Sequence, residues 1–244
     1  MRQNPNLRAT SKSGLSDKAP PAYLRVPSMP TCAGRSADYA IVSVRRFANN
    51  FPTAHRNTMG LLSLEQSRRA YISDFIFYGT TVIALTIVLV FYEPEPQRLS
   101  LGATALAGLA SWTLIEYLLH RFVLHGLQPF KRWHAEHHDR PTALICTPTA
   151  LSASLIVGLV FLPSLLLGGV WHASALTLGV LVGYLTYAIA HHAIHHWRCR
   201  SRWMLQRKRL HALHHSAGRP PQCFGVSSAL WDNVMGTQAR PPTR

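Results

Sequence analysis

The chain has 244 residues, of which 48% are hydrophobic and only 14% are charged. A typical soluble domain carries about 25% charged residues, so this composition argues against a water-soluble enzyme and favours a membrane protein. The formal net charge of +15 could suggest nucleic-acid binding, but the basic residues flank apolar runs, and we expect no nucleic-acid partner.

The first 60 residues are rich in Ser, Pro, Asn and Arg and show no sustained apolar period. We therefore predict a disordered, basic N-terminal extension over residues 1–64. The extension lacks the compact apolar segment of a secretory signal. Two alternatives stay open: the segment could be a transit peptide, or translation could begin at Met59, so that residues 1–58 would not belong to the protein. The membrane domain is expected over residues 65–238, followed by a short tail over 239–244.

Four apolar runs follow the extension, and they cover residues 72–92, 99–119, 149–170 and 174–190. A membrane-spanning helix needs about 20 apolar residues, so each run is long enough to cross. The sequence therefore predicts an all-α fold, an integral membrane bundle of about four transmembrane helices. The last two runs could instead form a tight hairpin in one leaflet, because Pro163, Gly168 and Gly169 interrupt them.

Basic residues are concentrated on one predicted side of the membrane. Residues 1–70 carry eleven Lys and Arg, residues 197–244 carry nine, and the 126–141 loop adds three more. Cytoplasmic loops carry an excess of Lys and Arg, so both termini and this loop are expected in the cytoplasm. Four crossings satisfy this arrangement, and we expect a multi-pass protein.

Twelve of the fourteen histidines fall into four tight clusters at the ends of the apolar runs. The clusters are His120-Arg-Phe-Val-Leu-His125, His134-Ala-Glu-His137-His138, His191-His192-Ala-Ile-His195-His196 and His211-Ala-Leu-His214-His215. Imidazole is the commonest metal ligand in proteins, and residues three or four apart share a helix face. Since all four clusters lie on the predicted cytoplasmic side, the sequence predicts a cytoplasmic, histidine-rich cap that binds metal.

Spacing leaves two questions about which imidazoles converge. His120 and His125 are about 140° apart on an ideal helix, so both reach one site only if the helix ends or bulges between them. His191 and His195 form one pair four residues apart, while His192 and His196 form a rival pair rotated by about 100°. Either choice gives ten imidazoles, enough for two metals with about five each. Such a site suits iron, zinc, copper or nickel.

These motifs resemble the fatty acid hydroxylase and sterol desaturase superfamily of membrane diiron oxygenases, over roughly residues 70–237. The ending from Phe224 through Trp231 and Asp232 to Thr237 is most similar to the fatty acid 2-hydroxylase branch. The stretch from His120 to Gly126 is also similar to carotenoid hydroxylases. The resemblance implies a small bundle of membrane helices under a cytosolic cap that holds two metals.

The resemblance further implies a ligand set, in which Tyr187 anchors the choice of His191 and His195. The implied ligands are His120, His125, His134, His137, His138, His191, His195, His211, His214 and His215. The implied cofactor is two iron ions with O2 as co-substrate, although zinc can occupy such a site in a purified sample. The candidates for hydrogen-bonding and orienting the ligands are Glu116, Asp232, His192 and His196. Glu116 lies four residues before His120 on the same helix face and could accept from a histidine N–H, or it could instead pair with Arg121 or Lys131.

The activity that the resemblance implies is hydroxylation or desaturation of a lipid C–H bond, on a fatty acyl or sphingolipid-type substrate. A carotenoid or sterol substrate is one alternative, and a non-catalytic zinc-binding or metal-transport membrane protein is another. No haem-binding His-Pro-Gly-Gly motif occurs in the sequence. Electrons are therefore expected from a separate donor, of ferredoxin or cytochrome b5 type, with its reductase.

Overall fold

The structure is a computed structural model that describes residues 65–216 and 220–239. The predicted disordered extension over 1–64 lies outside the described residues, as do residues 240–244 of the predicted tail. The described part contains seven α-helices: α1 (Arg68–Phe91), α2 (Arg98–Leu118), α3 (Phe130–Asp139), α4 (Thr149–Ile156), α5 (Leu162–His196), α6 (Arg202–His214) and α7 (Leu230–Val234). Its only β-type pairing is an isolated bridge between Glu65 and Ile145. The predicted all-α fold is confirmed.

Three continuous helical segments are long and apolar enough to cross a membrane. They are Arg68–Phe91, Glu95–Leu124 and Thr149–His196, with mean hydropathies of 2.0, 1.2 and 2.3. The first two correspond to the first two predicted runs. The third contains both of the remaining runs, because a π-helical stretch, Val157–Phe161, joins α4 to α5 without a break.

The third segment folds back on itself at Gly169, whose backbone adopts φ 73° and ψ 179°. Ser152 and Tyr184 lie on opposite sides of Gly169 in the chain, and a straight helix would hold them about 48 Å apart. Both nevertheless contact Tyr78 of α1, through a 2.7 Å hydrogen bond to Ser152 and a 4.7 Å ring-centroid distance to Tyr184. The segment is therefore a hairpin of two antiparallel arms, which supply the third and fourth apolar helices of the predicted bundle.

Helix α2 and the second arm of the hairpin approach so closely that side chains are excluded between them. A Cβ added to Gly179 would lie 2.0 Å from the carbonyl oxygen of Ala105, and one added to Gly108 would lie 2.3 Å from that of Leu176. Small residues allow such backbone contact between membrane helices. This packing fixes the C-terminal ends of α2 and α5, which carry two of the histidine clusters, relative to each other.

The remaining helices form a cap over these ends. Helix α6 begins at Ser201, whose side chain accepts a 3.2 Å hydrogen bond from the backbone N–H of Met204. It buries one face at three- and four-residue spacing, and this face includes His211 and His214. Helix α3, which has 10 residues, also belongs to the cap, and its buried residue is His137. The cap thus brings the second and fourth histidine clusters against the ends of the membrane helices.

Candidate metal centre

One group of five imidazoles gathers ligands from three parts of the chain. One nitrogen from each ring lies within 4.8 Å of the others, and the group, called the α2 group, consists of His120, His125, His134, His138 and His214. Residues Leu119–Leu124 form a π-helix in which the N–H of His125 donates to the carbonyl of His120 at 3.2 Å. This i→i+5 bonding brings residues five apart onto nearly one face. The bulge that the spacing of His120 and His125 required is therefore present.

A second group, called the α5 group, lies beside the first. It consists of His137, His191, His195 and His211, again with one nitrogen of each within 4.8 Å of the others. His215 adjoins it, with its Nε2 3.0 Å from the Nε2 of His211, and its ring stacks on His138 of the α2 group at 4.0 Å. The structure thus brings all ten predicted ligands together.

The rival pair on α5 lies outside both groups. The Nδ1 atom of His192 is 3.1 Å from the hydroxyl of Tyr71, and its ring stacks on His196 at a centroid distance of 4.5 Å. One residue of helical rotation separates this pair from His191 and His195, so only one pair can face the cap. Among the described residues, neither His192 nor His196 hydrogen-bonds to or stacks on any of the ten converging rings.

The distances between ring nitrogens fit a shared cation at each group. The Nε2 of His134 is 3.0 Å from the Nε2 of both His120 and His138. A neutral imidazole nitrogen carries one hydrogen or one lone pair, so it cannot bond well to both neighbours. Two nitrogens that bind one ion at right angles, each about 2.1 Å away, would lie about 3 Å apart. The α5 group repeats this pattern, since the Nε2 of His211 lies 2.9 Å from that of His195.

Burial and the neighbouring imidazoles keep these rings neutral. Burial, followed by the charge of neighbouring groups such as His138, lowers the pKa of His125 to about 4 and that of His215 to about 3. Burial likewise lowers the pKa of His137 and of His214 to about 3. The neutral ring is the form that binds a metal ion. The histidines are therefore in the ligand form at neutral pH.

A loop over residues 222–228, called the closing loop, contacts the α2 group through its backbone carbonyls. The Nδ1 of His120 donates to the carbonyl of Phe224 at 2.5 Å, and the Nδ1 of His214 donates to the carbonyl of Gln222 at 2.8 Å. Cys223, between these two residues, adopts φ 56°, an uncommon left-handed conformation for a residue with a side chain. Sequence reasoning missed these carbonyls, because every residue type carries one.

Glu116 and Asp232 hold the closing loop and do not contact a histidine directly. Glu116 accepts from the backbone N–H of Val226 at 2.6 Å and of Ser227 at 2.9 Å. Asp232 accepts from the N–H of Phe224 and of Gly225, both at 2.8 Å. Instead of the histidine N–H that was expected, the donors described above belong to the loop, and the hydroxyl of Ser227 also donates to Glu116.

A cavity adjoins both groups on the membrane side. Three of the ten histidines line it: His134, His137 and His191. Its apolar wall includes Phe75, Leu124, Phe130 and Trp133, and its polar side chains include Tyr71, Asp74, Cys146, Thr147, Tyr184 and Tyr187. Asp74 is buried and accepts a 2.6 Å hydrogen bond from the hydroxyl of Thr149. A mainly apolar molecule in this cavity would therefore contact the metal-binding rings directly.

The fold and the site define a class: a helical membrane protein with a multi-histidine metal centre at one end of its bundle. The family model for fatty acid hydroxylases matches residues 105–237, and the chain belongs to this family. The resemblance inferred from the histidine motifs is confirmed.

Several relatives align with more than half of the chain. Dihydroceramide fatty acyl 2-hydroxylase FAH2 of Arabidopsis thaliana is 35% identical over 148 residues, which are 56% of this chain and 61% of the relative. Fatty acid 2-hydroxylase of Rattus norvegicus is 30% identical over 154 residues, which are 58% of this chain and 41% of the relative. The chain thus spans between about two fifths and three fifths of the length of these two relatives.

A solved structure has a similar fold. The structure of full-length scs7p, in which only the hydroxylase domain is visible, superposes with a TM-score of 0.63 at 25% sequence identity. The match covers 74% of this chain and 70% of that one. The arrangement of helices described above is therefore shared with a hydroxylase domain.

Proposed function

We propose that this chain is a membrane-bound lipid hydroxylase that uses O2 and two iron ions to oxidise a C–H bond of a fatty acyl chain. The observation that carries the proposal is the pair of imidazole groups on the wall of a cavity that also offers apolar and aromatic surface. The names of the relatives support a fatty acyl chain, free or in a ceramide-type lipid, over a carotenoid or a sterol. We place the catalytic domain at residues 65–238.

The ten converging histidines are the proposed metal ligands. The α2 group, His120, His125, His134, His138 and His214, would hold one iron ion, and the α5 group with His215 would hold the other. Oxidation of an unactivated C–H bond is beyond any side chain, and the bound metals would supply it. Zinc bound by a purified sample would not contradict this assignment, since zinc also binds imidazole sites well.

The cavity residues would place the substrate. Phe75, Phe130 and Trp133 offer apolar and aromatic surface to an acyl chain and exclude water from it. Asp74 offers a carboxyl oxygen to a hydroxyl or amide N–H of a lipid head group. The rings of Tyr187 and His191 are stacked, with their centroids 5.8 Å apart and their planes inclined by 6°. The cavity wall therefore adjoins the metal-binding rings.

Two electrons per turnover would come from a separate donor of ferredoxin or cytochrome b5 type with its reductase. We place the metal centre on the cytoplasmic side, where a soluble donor can reach it. Lys131, Arg132 and Arg140 lie in or beside α3, at the same end of the bundle as the histidines, and basic loops are retained in the cytoplasm.

Topology reporters test this placement. A reporter enzyme inserted after residue 97, between α1 and α2, is expected to be active outside the cytoplasm. One inserted after residue 140, at the end of α3, is expected to be active in the cytoplasm. Reporter activity on the same side at both positions would contradict a single crossing by α2 between them. Activity in the cytoplasm after residue 97 and outside it after residue 140 would place the metal centre outside the cytoplasm.

A lipid comparison by mass spectrometry tests the activity. The full chain is expressed in a lipid-producing host with added ferrous iron, beside a variant that carries both His137→Ala and His138→Ala. We expect lipids heavier by one oxygen atom with the intact chain and none above background with the variant. Lipids lighter by two hydrogens would indicate a desaturase instead.

The matched control for this comparison is His192→Ala, which removes a neighbouring imidazole outside both groups. Product is expected to persist in this control. Equal product from the intact chain and from the double variant would overturn the proposed function. Loss of product in the control as well would show that the assay responds to the loss of any imidazole at this end of the bundle rather than to the loss of ligands.

A further inference from the structure

The protein orients the rings of the two histidine groups to different degrees. In the α2 group, the Nδ1 atoms of His120 and His214 each donate to a carbonyl of the closing loop. In the α5 group, the Nδ1 of His211 and both ring nitrogens of His137 are buried with no hydrogen-bond partner in the described part of the chain. Two outer nitrogens of the first group are therefore held by the loop, and these three nitrogens of the second group have no such partner in the described part of the chain.

Hydrogen bonds at Nδ1 matter because they decide which nitrogen faces the ion. A ring that donates its Nδ1 hydrogen to a carbonyl keeps the lone pair on Nε2. The Nε2 of His120 lies 3.0 Å from that of His134, and the Nε2 of His214 lies 3.0 Å from that of His125. Both lone pairs therefore point into the α2 group before any ion binds.

Two carboxylates fix the position of the closing loop by accepting hydrogen bonds from its backbone. Asp232 and Glu116 together accept hydrogen bonds from four consecutive backbone N–H groups, those of Phe224, Gly225, Val226 and Ser227. The left-handed conformation of Cys223 is unfavourable for a residue with a side chain, and such conformations persist only where surrounding contacts enforce them. The carboxylates thus fix the four N–H groups that follow Cys223, and the N–H of Cys223 itself donates to the carbonyl of Thr237 at 2.9 Å.

The two carboxylates are buried, at 4% and 2% exposure for Glu116 and Asp232. Arg207 of α6 is buried beside them and interacts electrostatically with both. A buried charge is costly unless it is paired or hydrogen-bonded, and here each carboxylate uses two backbone N–H groups. Both carboxylates are therefore buried to bond with the loop, at a site where water cannot solvate them, and this supports a role in fixing the loop.

We propose that Glu116 and Asp232 are positioning residues that act through the closing loop on the α2 group alone, and that they make it the tighter of the two metal positions. The proposal rests on the metal centre put forward under the proposed function. Because neither carboxylate touches the α5 group, changing one of them is expected to weaken one ion and leave the other. Partners that orient a histidine ligand typically contribute 10- to 100-fold in metal affinity.

Competition with a zinc chelator measures the two affinities in the purified full chain. The intact protein is expected to bind two zinc ions with unequal affinity. In Asp232→Asn and in Glu116→Gln, the tighter affinity is expected to fall about 10- to 100-fold while the weaker one stays unchanged. Glu93→Gln is the matched control, because it alters another carboxylate, which pairs with Arg98 at the start of α2 and not with the loop. Its two affinities are expected to match those of the intact protein.

Double variants show which of the two histidine groups holds the ion whose affinity falls. His134→Ala removes a ring of the α2 group, and His191→Ala removes a ring of the α5 group. Combined with Asp232→Asn, the first is expected to leave one ion at the weaker affinity of the intact protein, because both changes affect the same position. The second is expected to leave one ion whose affinity is about 10- to 100-fold below the tighter affinity of the intact protein. The opposite result would place the action of Asp232 on the α5 group and overturn the proposal.

A purely structural role gives a different result. If the carboxylates only stabilise the fold, both affinities should fall together, or neither should change while the melting temperature falls; either outcome overturns the proposal. Helical content by circular dichroism identifies a variant that does not fold, and Glu116→Gln then stands in for Asp232→Asn. Two ions without a lipid product would overturn the proposed function and leave this inference intact, whereas fewer than two ions in the intact protein would overturn both.

Discussion

Replacing His134 or His211 by alanine is expected to remove one metal ion per chain in each case and to abolish lipid product. These two rings are central to their groups, since the Nε2 of each lies within 3.0 Å of two other imidazole nitrogens. Loss of a ligand should cost more than the 10- to 100-fold in affinity or activity that is typical of groups behind a ligand. Elemental analysis of the purified, folded variants measures the ions, and mass spectrometry measures the product.

His196→Ala is the control for both variants. This ring is exposed and stacks on His192, outside both groups, so its removal should leave both ions bound. Two ions retained in His134→Ala and in His211→Ala would contradict the ligand assignment, whatever happened to the product.

The second large effect is expected at the contact between α2 and the hairpin. In Gly179→Ala, the new Cβ would lie 2.0 Å from the carbonyl oxygen of Ala105 and 2.7 Å from the backbone nitrogen of Leu109. Both atoms belong to a helix backbone, which cannot move aside as a side chain can. The free energy of unfolding is expected to fall by at least about 1 to 3 kcal/mol, the usual cost of overpacking a core.

Thermal unfolding in detergent measures this loss. Gly102→Ala, in α2, is the matched control, because a Cβ there meets nothing within 4 Å. It should be neutral or slightly stabilising, since alanine favours a helix over glycine by about 1 kcal/mol. Equal melting temperatures for the two variants would show that the helices do not pack as closely as described.

Much of the architecture could be predicted because it depends on periodicity. Apolar runs of sufficient length predict membrane helices, and the break at Gly168 and Gly169 allowed the hairpin that the structure contains. Four-residue spacing also predicted that His191 and His195 could converge. It could not choose between them and His192 with His196, because both pairs have the same spacing, and only packing against the cap distinguishes their faces.

Contacts made by backbone atoms could not be predicted in the same way. The carbonyls of Gln222 and Phe224 bond to two histidines of the α2 group, but their position depends on a left-handed residue and on distant carboxylates. Glu116 was expected beside a histidine because it lies four residues before His120. Its carboxylate instead reaches residues more than 100 positions later in the chain, and no local pattern carries that information.

Helix α3 supplies rings to both metal positions, with His134 and His138 facing one and His137 facing the other. Helix α6 does the same with His214 and His211. A helix that is hydrogen-bonded along its length does not stretch, and its rise of about 1.5 Å per residue is fixed. The spacing of the rings along each of these two helices is therefore set by the helical rise rather than by loops. We expect a change in the separation of the two positions to require rotation of the rings or a shift of one helix against another.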